Sequence, residues 1–198
     1  MKQFWDQRYA TEEFVYGRNP NEFFARHMLS MRPGKILLPG EGEGRNAVFA
    51  AELGWHVDAF DQSAVAREKA LKLAGEKGIQ INFQACSLED FFFKQSHYDA
   101  AGLIFFHLPP ALRKYLHQKV VESLKQGGEL ILESFHSTQL RNDTGGPRSP
   151  EMLFHKQMLL EDFKGLEVKE MEETETVLEE GQFHGGKAKV VRFRGKKI

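Results

Sequence analysis

Short apolar runs alternate with helix-patterned segments along most of this 198-residue chain, and that alternation limits the possible folds more than any other feature. Lys35-Ile36-Leu37-Leu38 lies between Pro33-Gly34 and Pro39-Gly40 and reads as a short buried strand. From residue 45 to 53, Ala47, Val48 and Ala51 recur at helical spacing, and Gly54 supplies a stop. Residues 56–60 read as a second strand. Ser63 is a natural N-cap for a helix running to about residue 77, with Gly78 ending it. A third strand is expected over 79–85 and a fourth over 100–106. Pro109-Pro110 then open a helix to about residue 125, Gly127-Gly128 close it, and 129–135 form a fifth strand. Strands alternating with helices imply a parallel sheet covered on both faces.

The tail breaks the pattern. A helix is expected from Pro150 to Phe163, then strands over 166–178 and 188–194 around the turn-rich 181–186. An antiparallel hairpin at one sheet edge accounts for them. The expected class is therefore α/β: a Rossmann-like three-layer sandwich with a mostly parallel seven-stranded sheet and an antiparallel C-terminal hairpin. The length suits one domain over 1–198, since a domain takes roughly 100–200 residues, and 41% hydrophobic residues can fill a core. The first 29 residues read as two helical pieces broken at Tyr16-Gly17-Arg18-Asn19-Pro20. Residues 137–150, with Gly145-Gly146-Pro147, form the longest connection and read as a surface loop or a flap.

Charge and cysteine usage exclude several functions. A formal net charge of −1 gives no broad attraction to nucleic acid or to an anionic membrane. The single cysteine, Cys86, cannot make an internal disulfide, which fits a reducing, cytoplasmic setting. The start, Met1-Lys2-Gln3-Phe4-Trp5-Asp6, lacks the apolar run of a signal peptide, and no stretch is long and apolar enough to span a bilayer. The eight histidines show no metal-ligand spacing, so no metal is expected.

The chemistry concentrates in Pro39-Gly40-Glu41-Gly42-Glu43-Gly44, between the first strand and the first sheet helix. The dinucleotide fingerprint places its third glycine where this chain has Arg45, so the nicotinamide and flavin pattern fails there. Glu41 and Glu43 oppose a pyrophosphate, which needs positive potential at a helix N-terminus. They suit a ligand bearing ammonium and sulfonium charge. Asp61 ends the second strand about twenty residues after Gly40, where an acid can accept hydrogen bonds from ribose hydroxyls.

These segments resemble the motifs of class I S-adenosylmethionine-dependent methyltransferases. Residues 36–46 are similar to the family's first motif and Asp61-Gln62-Ser63 to its ribose-binding turn. Ser87-Leu88-Glu89-Asp90 falls where the family contacts adenine, and residues 104–110 resemble the fourth-strand motif facing the methyl group. The resemblance covers most of the chain and is strongest to the tellurite-resistance and thiopurine methyltransferase-like branch, where a proline often precedes the first glycine. Two departures stand out. Leu38 occupies a position that is often acidic, and Ser87 replaces the adenine-side acid.

The resemblance implies S-adenosylmethionine as cofactor and a small-molecule methyl acceptor such as a thiol or metalloid oxyanion. The cofactor residues it implies are Gly40, Glu41, Gly42, Gly44, Arg45, Asn46, Asp61, Gln62, Ser63, Ser87, Leu88, Glu89 and Phe105. Tyr16 and Gly17 join them from a helical cap over 1–30. His107, just past the fourth strand, could take a proton or equally be a strand-end histidine bonded to backbone. His136 is a weaker candidate. Phe91, Phe92, Phe93, Phe105 and Phe106 could line an apolar pocket or simply fill core. Arg192, Arg194, Lys196 and Lys197 read as a solvated strand end. A cofactor-binding sensor without turnover and a nicotinamide-dependent oxidoreductase are the rival readings.

Overall fold

A computed structural model describes residues 2–142 and 144–198. Met1 and Asp143, which fall in the expected N-terminal cap and the expected 137–150 connection, lie outside it. The chain runs α1 (Lys2–Tyr9), α2 (Glu22–Met28), β1 (Lys35–Pro39), α3 (Arg45–Glu52), β2 (His56–Asp61), α4 (Ala64–Glu76), β3 (Asn82–Ala85) and β4 (Tyr98–Ile104). It continues with α5 (Pro110–Ser123), β5 (Leu124–Phe135), α6 (Lys156–Asp162), β6 (Leu166–Glu179) and β7 (Gly185–Lys197). The strands form one seven-stranded sheet in the order β3-β2-β1-β4-β5-β7-β6. The first five are mutually parallel, and β7 lies antiparallel to both β5 and β6. The expected class is the observed one: a Rossmann-like α/β sandwich with a mostly parallel seven-stranded sheet and an antiparallel C-terminal hairpin.

The pleat of β1 shows how the sequence makes three layers. Ile36 and Leu38 point to one face, against Phe23, Phe24 and Met28 of α2, Ala47 and Ala50 of α3 and Ala70 of α4. Leu37 points to the other, where Leu116 and Val120 of α5 and Leu159 of α6 close the core. Burial on both faces explains why the strand reads as a continuous apolar run. The strand order reverses between β1 and β4, and the crevice at the carboxyl ends of such strands is where open α/β sheets bind ligands.

Several boundaries differ from expectation, each for a local reason. The third strand starts at Asn82 rather than residue 79, because the Ile79 amide still bonds the Ala74 carbonyl and finishes α4. The fourth strand ends at Ile104, since Phe105 turns left-handed at φ 50°. Helix α5 stops at Ser123 and β5 begins at once. Gly127-Gly128 form an irregularity within that strand instead of closing the helix. The helix expected from Pro150 is interrupted: Pro150–Met152 make a single 3-10 turn, and Phe154 is drawn out to bond the backbone of Phe135 and Ser137 before α6 starts. The basic C-terminal residues are not merely solvated. Arg192 pairs with Glu133 and Arg194 with Glu129, joining β7 to β5.

Candidate functional site

A cavity of about 820 Å³ opens at the carboxyl ends of the strands and is lined by residues from almost every loop on that edge. That is ample for a cofactor with a small second molecule. The turn after β1 forms its floor. Gly40 and Gly42 hold φ of 61° and 58°, and a Cβ on either would strike the Phe106 ring at 2.5 Å or the Tyr9 hydroxyl at 2.8 Å. Only glycine keeps this part of the cradle open.

The two glutamates of the turn do not face a ligand as unpaired charges. Glu41 Oε1 accepts from the amides of Asn46 and Ala47 at 2.8 and 2.7 Å, capping α3 from inside the turn. Glu43 is paired with Lys69 and accepts from the Tyr16 amide. The first of these bonds has a direct consequence. With its leading amides occupied by a carboxylate, the α3 N-terminus is not an open seat for a phosphate. Burial, only partly offset by these amides, raises the Glu41 pKa to about 7. The folded chain therefore holds this proton more tightly than the unfolded one. Its penalty is absent below pH 4.5 and grows to a few kcal/mol as pH rises through about 7. Relative to wild type, the unfolding free energy of Glu41→Gln is expected to rise across that window. A flat difference in urea titrations would show that Glu41 is ionised throughout.

Asp61 ends β2 on the cavity wall. Its Oδ2 accepts from the Gly42 amide at 3.0 Å and its Oδ1 from the Ser63 amide at 2.9 Å, tying the glycine turn to the next loop. Burial lifts its pKa to about 6. Each oxygen keeps capacity for a further donor such as a ribose hydroxyl.

The other expected site residues divide into two sets. Tyr16, Gly17, Arg45, Asn46, Gln62, Ser87, Leu88, Glu89, Phe105 and His107 all line the cavity. Gly44 and Ser63 do not. A Cβ at Gly44 would meet Ala70 Cβ at 2.6 Å, so this glycine lets α3 and α4 approach. Ser63 caps α4 through the Ala66 amide and donates to Asp6. Ser87 reaches the wall, but its hydroxyl donates to Asp90. Of the five phenylalanines, only Phe105 and Phe106 line the cavity. Phe91 and Phe93 pack on Phe60, and Phe92 is exposed. The N-terminal segment divides too: α1 and the loop to Gly17 reach the cavity, whereas α2 packs into the core.

The geometry at His107 opposes the role of proton acceptor. Nδ1 bonds the Met152 carbonyl at 2.8 Å and therefore carries the proton, while Nε2 accepts from the Phe135 amide at 3.5 Å. Burial pushes its pKa down to about 4. His107 is a neutral brace between β5 and the segment before α6. His136 lies off the cavity and bonds Thr138.

Sequence reasoning missed the contribution of the hairpin tip. Glu180, just past β6, pairs with Arg45 at 2.8 Å and accepts from Asn21 Nδ2 at 2.9 Å and from His184 Nδ1 at 3.2 Å. Burial opposes its ionisation, but the bonds from His184 and Arg45 prevail and hold its pKa at about 2. A Glu-Xaa-Xaa-Xaa-His pair inside a glycine-rich turn was the available signal. Arg45 Nη1 remains buried without a hydrogen-bond partner on the cavity wall.

Comparison with known proteins agrees with the architecture. Residues 36–128 match a family model described as a methyltransferase domain. Comparison of the sequence with curated proteins finds no match. Among solved structures, TehB from Haemophilus influenzae superposes with a TM-score of 0.73 at 18% identity, covering 100% of this chain and 67% of that one. A structure described for the conversion of a disulfide bond into a thioacetal group during echinomycin biosynthesis gives 0.76 at 17% identity, covering 100% and 92%. The cyclase SpnF gives 0.74 at 15% identity, covering 99% and 94%. At these identities the likeness is one of fold. Among the described residues no helix is long and apolar enough to cross a membrane, and no group of three or more His, Cys, Asp or Glu could hold a metal ion.

Proposed function

We propose that this protein transfers a methyl group from S-adenosylmethionine to a small-molecule acceptor. The observation that carries the reading is Arg45. Its Nη1 is a buried donor with no partner, set beside the glycine turn, and it suits the carboxylate of the cofactor's amino-acid end. Asp61, with spare acceptor capacity on the same wall, suits the ribose hydroxyls. When bound, the cofactor supplies an already activated methyl group. The chain's own work is to bind, align and exclude water. The aromatic wall of Phe105, Phe106 and Phe135 provides the dry side.

Two kinds of acceptor suit such a site. A thiolate or metalloid oxyanion needs no proton acceptor, and the tellurite-resistance and thiopurine resemblance favours it. A hydroxyl needs a base at the reacting atom. Placement in that branch and a cytoplasmic setting belong to the same proposal, supported by Pro39 and by the lone cysteine. A cofactor-binding sensor or interaction module without turnover stays the second reading, because one fold hosts several functions. The carboxylate-capped α3 weighs against a nicotinamide enzyme.

Isothermal titration of the purified chain with S-adenosylmethionine, S-adenosylhomocysteine and NADH tests the proposal. Saturable binding of the first two and none of the third is expected. Binding of NADH alone, or of no ligand, overturns it.

A further inference from the structure

The cavity wall holds a second histidine whose situation is the reverse of His107. His184 lies in the β6–β7 turn, 8% exposed and facing the cavity. Its Nδ1 sits 3.2 Å from Glu180 Oε2, so the proton belongs on Nδ1 and Nε2 keeps its lone pair. Nε2 bonds to none of the described residues. The carboxylate behind the ring is itself fixed. Oε2 also receives Arg45 Nη2 at 2.8 Å, and Oε1 receives Asn21 Nδ2 at 2.9 Å. A base oriented by a second, anchored group is the arrangement that proton-transfer catalysis requires.

We propose that the His184–Glu180 pair serves a phenol-like hydroxyl acceptor, with His184 Nε2 receiving the hydroxyl proton. This rests on the methyltransferase reading and decides its acceptor class. The O–H bond breaks as the proton passes to Nε2. The oxygen pair so released forms the bond to the methyl carbon, and the pair of the broken carbon–sulfur bond stays on sulfur. Glu180 stabilises the resulting imidazolium and is a positioning residue.

An aromatic carrier is indicated by what surrounds the ring. Phe105 and Phe135 meet His184 edge to face at 4.7 and 5.1 Å between centroids, and Phe106, Leu108 and Leu112 also line the cavity. The charged and titratable groups around His184 are Glu180 on the turn, Arg45 of α3, Arg8 of α1, Tyr16 of the N-terminal loop, and His107 after β4. Burial lowers the His184 pKa, Glu180 works against that, and Arg45 and Arg8 lower it further. The ring is therefore neutral and able to accept a proton near pH 7.

The test uses the full chain with S-adenosylmethionine as donor and 2-naphthol and 2-naphthalenethiol as probes. The naphthol is protonated at neutral pH and the thiol largely ionised. Wild-type protein is expected to methylate the naphthol, and His184→Gln to lower its kcat at pH 7 by about 100-fold or more. Transfer to the thiol and the Kd for S-adenosylmethionine should persist, and the deficit should narrow as pH approaches the naphthol's own ionisation. Independently of turnover, long-range 1H–15N spectra of histidine-labelled protein should show His184 as the neutral Nδ1–H tautomer. Adding 2-naphthol with S-adenosylhomocysteine should shift its Nε2 resonance.

Transfer to neither probe or to the thiol alone, an unchanged kcat in His184→Gln, or an unmoved Nε2 resonance each overturns the proposal. Wild-type protein that binds no S-adenosylmethionine overturns the methyltransferase reading itself. Cofactor binding with an unaffected His184→Gln overturns only the proton acceptor.

Discussion

Truncating Glu180 to alanine is expected to destabilise the fold by about 3–5 kcal/mol, the range for removing one partner of a buried ion pair. Arg45 and Glu180 side chains are only 9% and 10% exposed, so Arg45 would be left as a largely buried cation without its carboxylate partner. Asn21 and His184 would lose an acceptor at the same time. Total stability of a domain is typically only about 5–15 kcal/mol, so the loss would be visible in urea unfolding. The exposed pair Lys77–Glu52 is the control, and Glu52→Ala should cost under about 1 kcal/mol. The Glu180 contribution is present above pH 4.5 and is lost as pH falls through about 2, because its folded pKa is depressed. A cost below about 1 kcal/mol for Glu180→Ala would mean that Arg45 finds water, and that the hairpin tip does not hold the helix.

Asp61→Ala is expected to weaken S-adenosylmethionine binding by about 100-fold or more, since hydrogen bonds to a charged group contribute about 1.5–3 kcal/mol each. The residue acts twice. Its carboxylate offers acceptors toward the cavity, and it fixes the Gly42 and Ser63 amides that shape the cradle. Calorimetry of the variant measures the sum. Asp61→Asn is expected to lose affinity too, because it removes the charge and sets an NH2 donor against either the Gly42 or the Ser63 amide. Wild-type affinity in Asp61→Ala would show that the ligand does not use this wall.

Much of the parallel half was legible because its signals are local. The pleat of Ile36-Leu37-Leu38 and the glycine stops at 54 and 78 act within a few residues of where they stand. Asp61 was identifiable for the same reason: its distance from the first glycine is set by one strand–helix–strand unit. Where a remote partner intervened, local reading slipped. The helix expected from Pro150 gave way because Phe154 bonds the end of β5. The two loop glutamates were expected to meet a cationic ligand, but one caps α3 and the other pairs with Lys69 of α4. His107 suffered the same fate, its nitrogens taken by Met152 and Phe135, 45 and 28 residues away.

The sequence by itself determined the layered α/β architecture, the antiparallel tail and the glycine turn beside Asp61. All follow from periodicity and from backbone geometry that few residue types can adopt. Only the tertiary structure decided which polar groups remain available for chemistry. It brought Glu180 against Arg45 across 135 residues of chain, used both nitrogens of His107, and left Nε2 of His184 without a partner among the described residues. The reason is physical. A buried polar group takes whatever partner the fold brings within about 3 Å, and that pairing depends on chain crossings that no local pattern records.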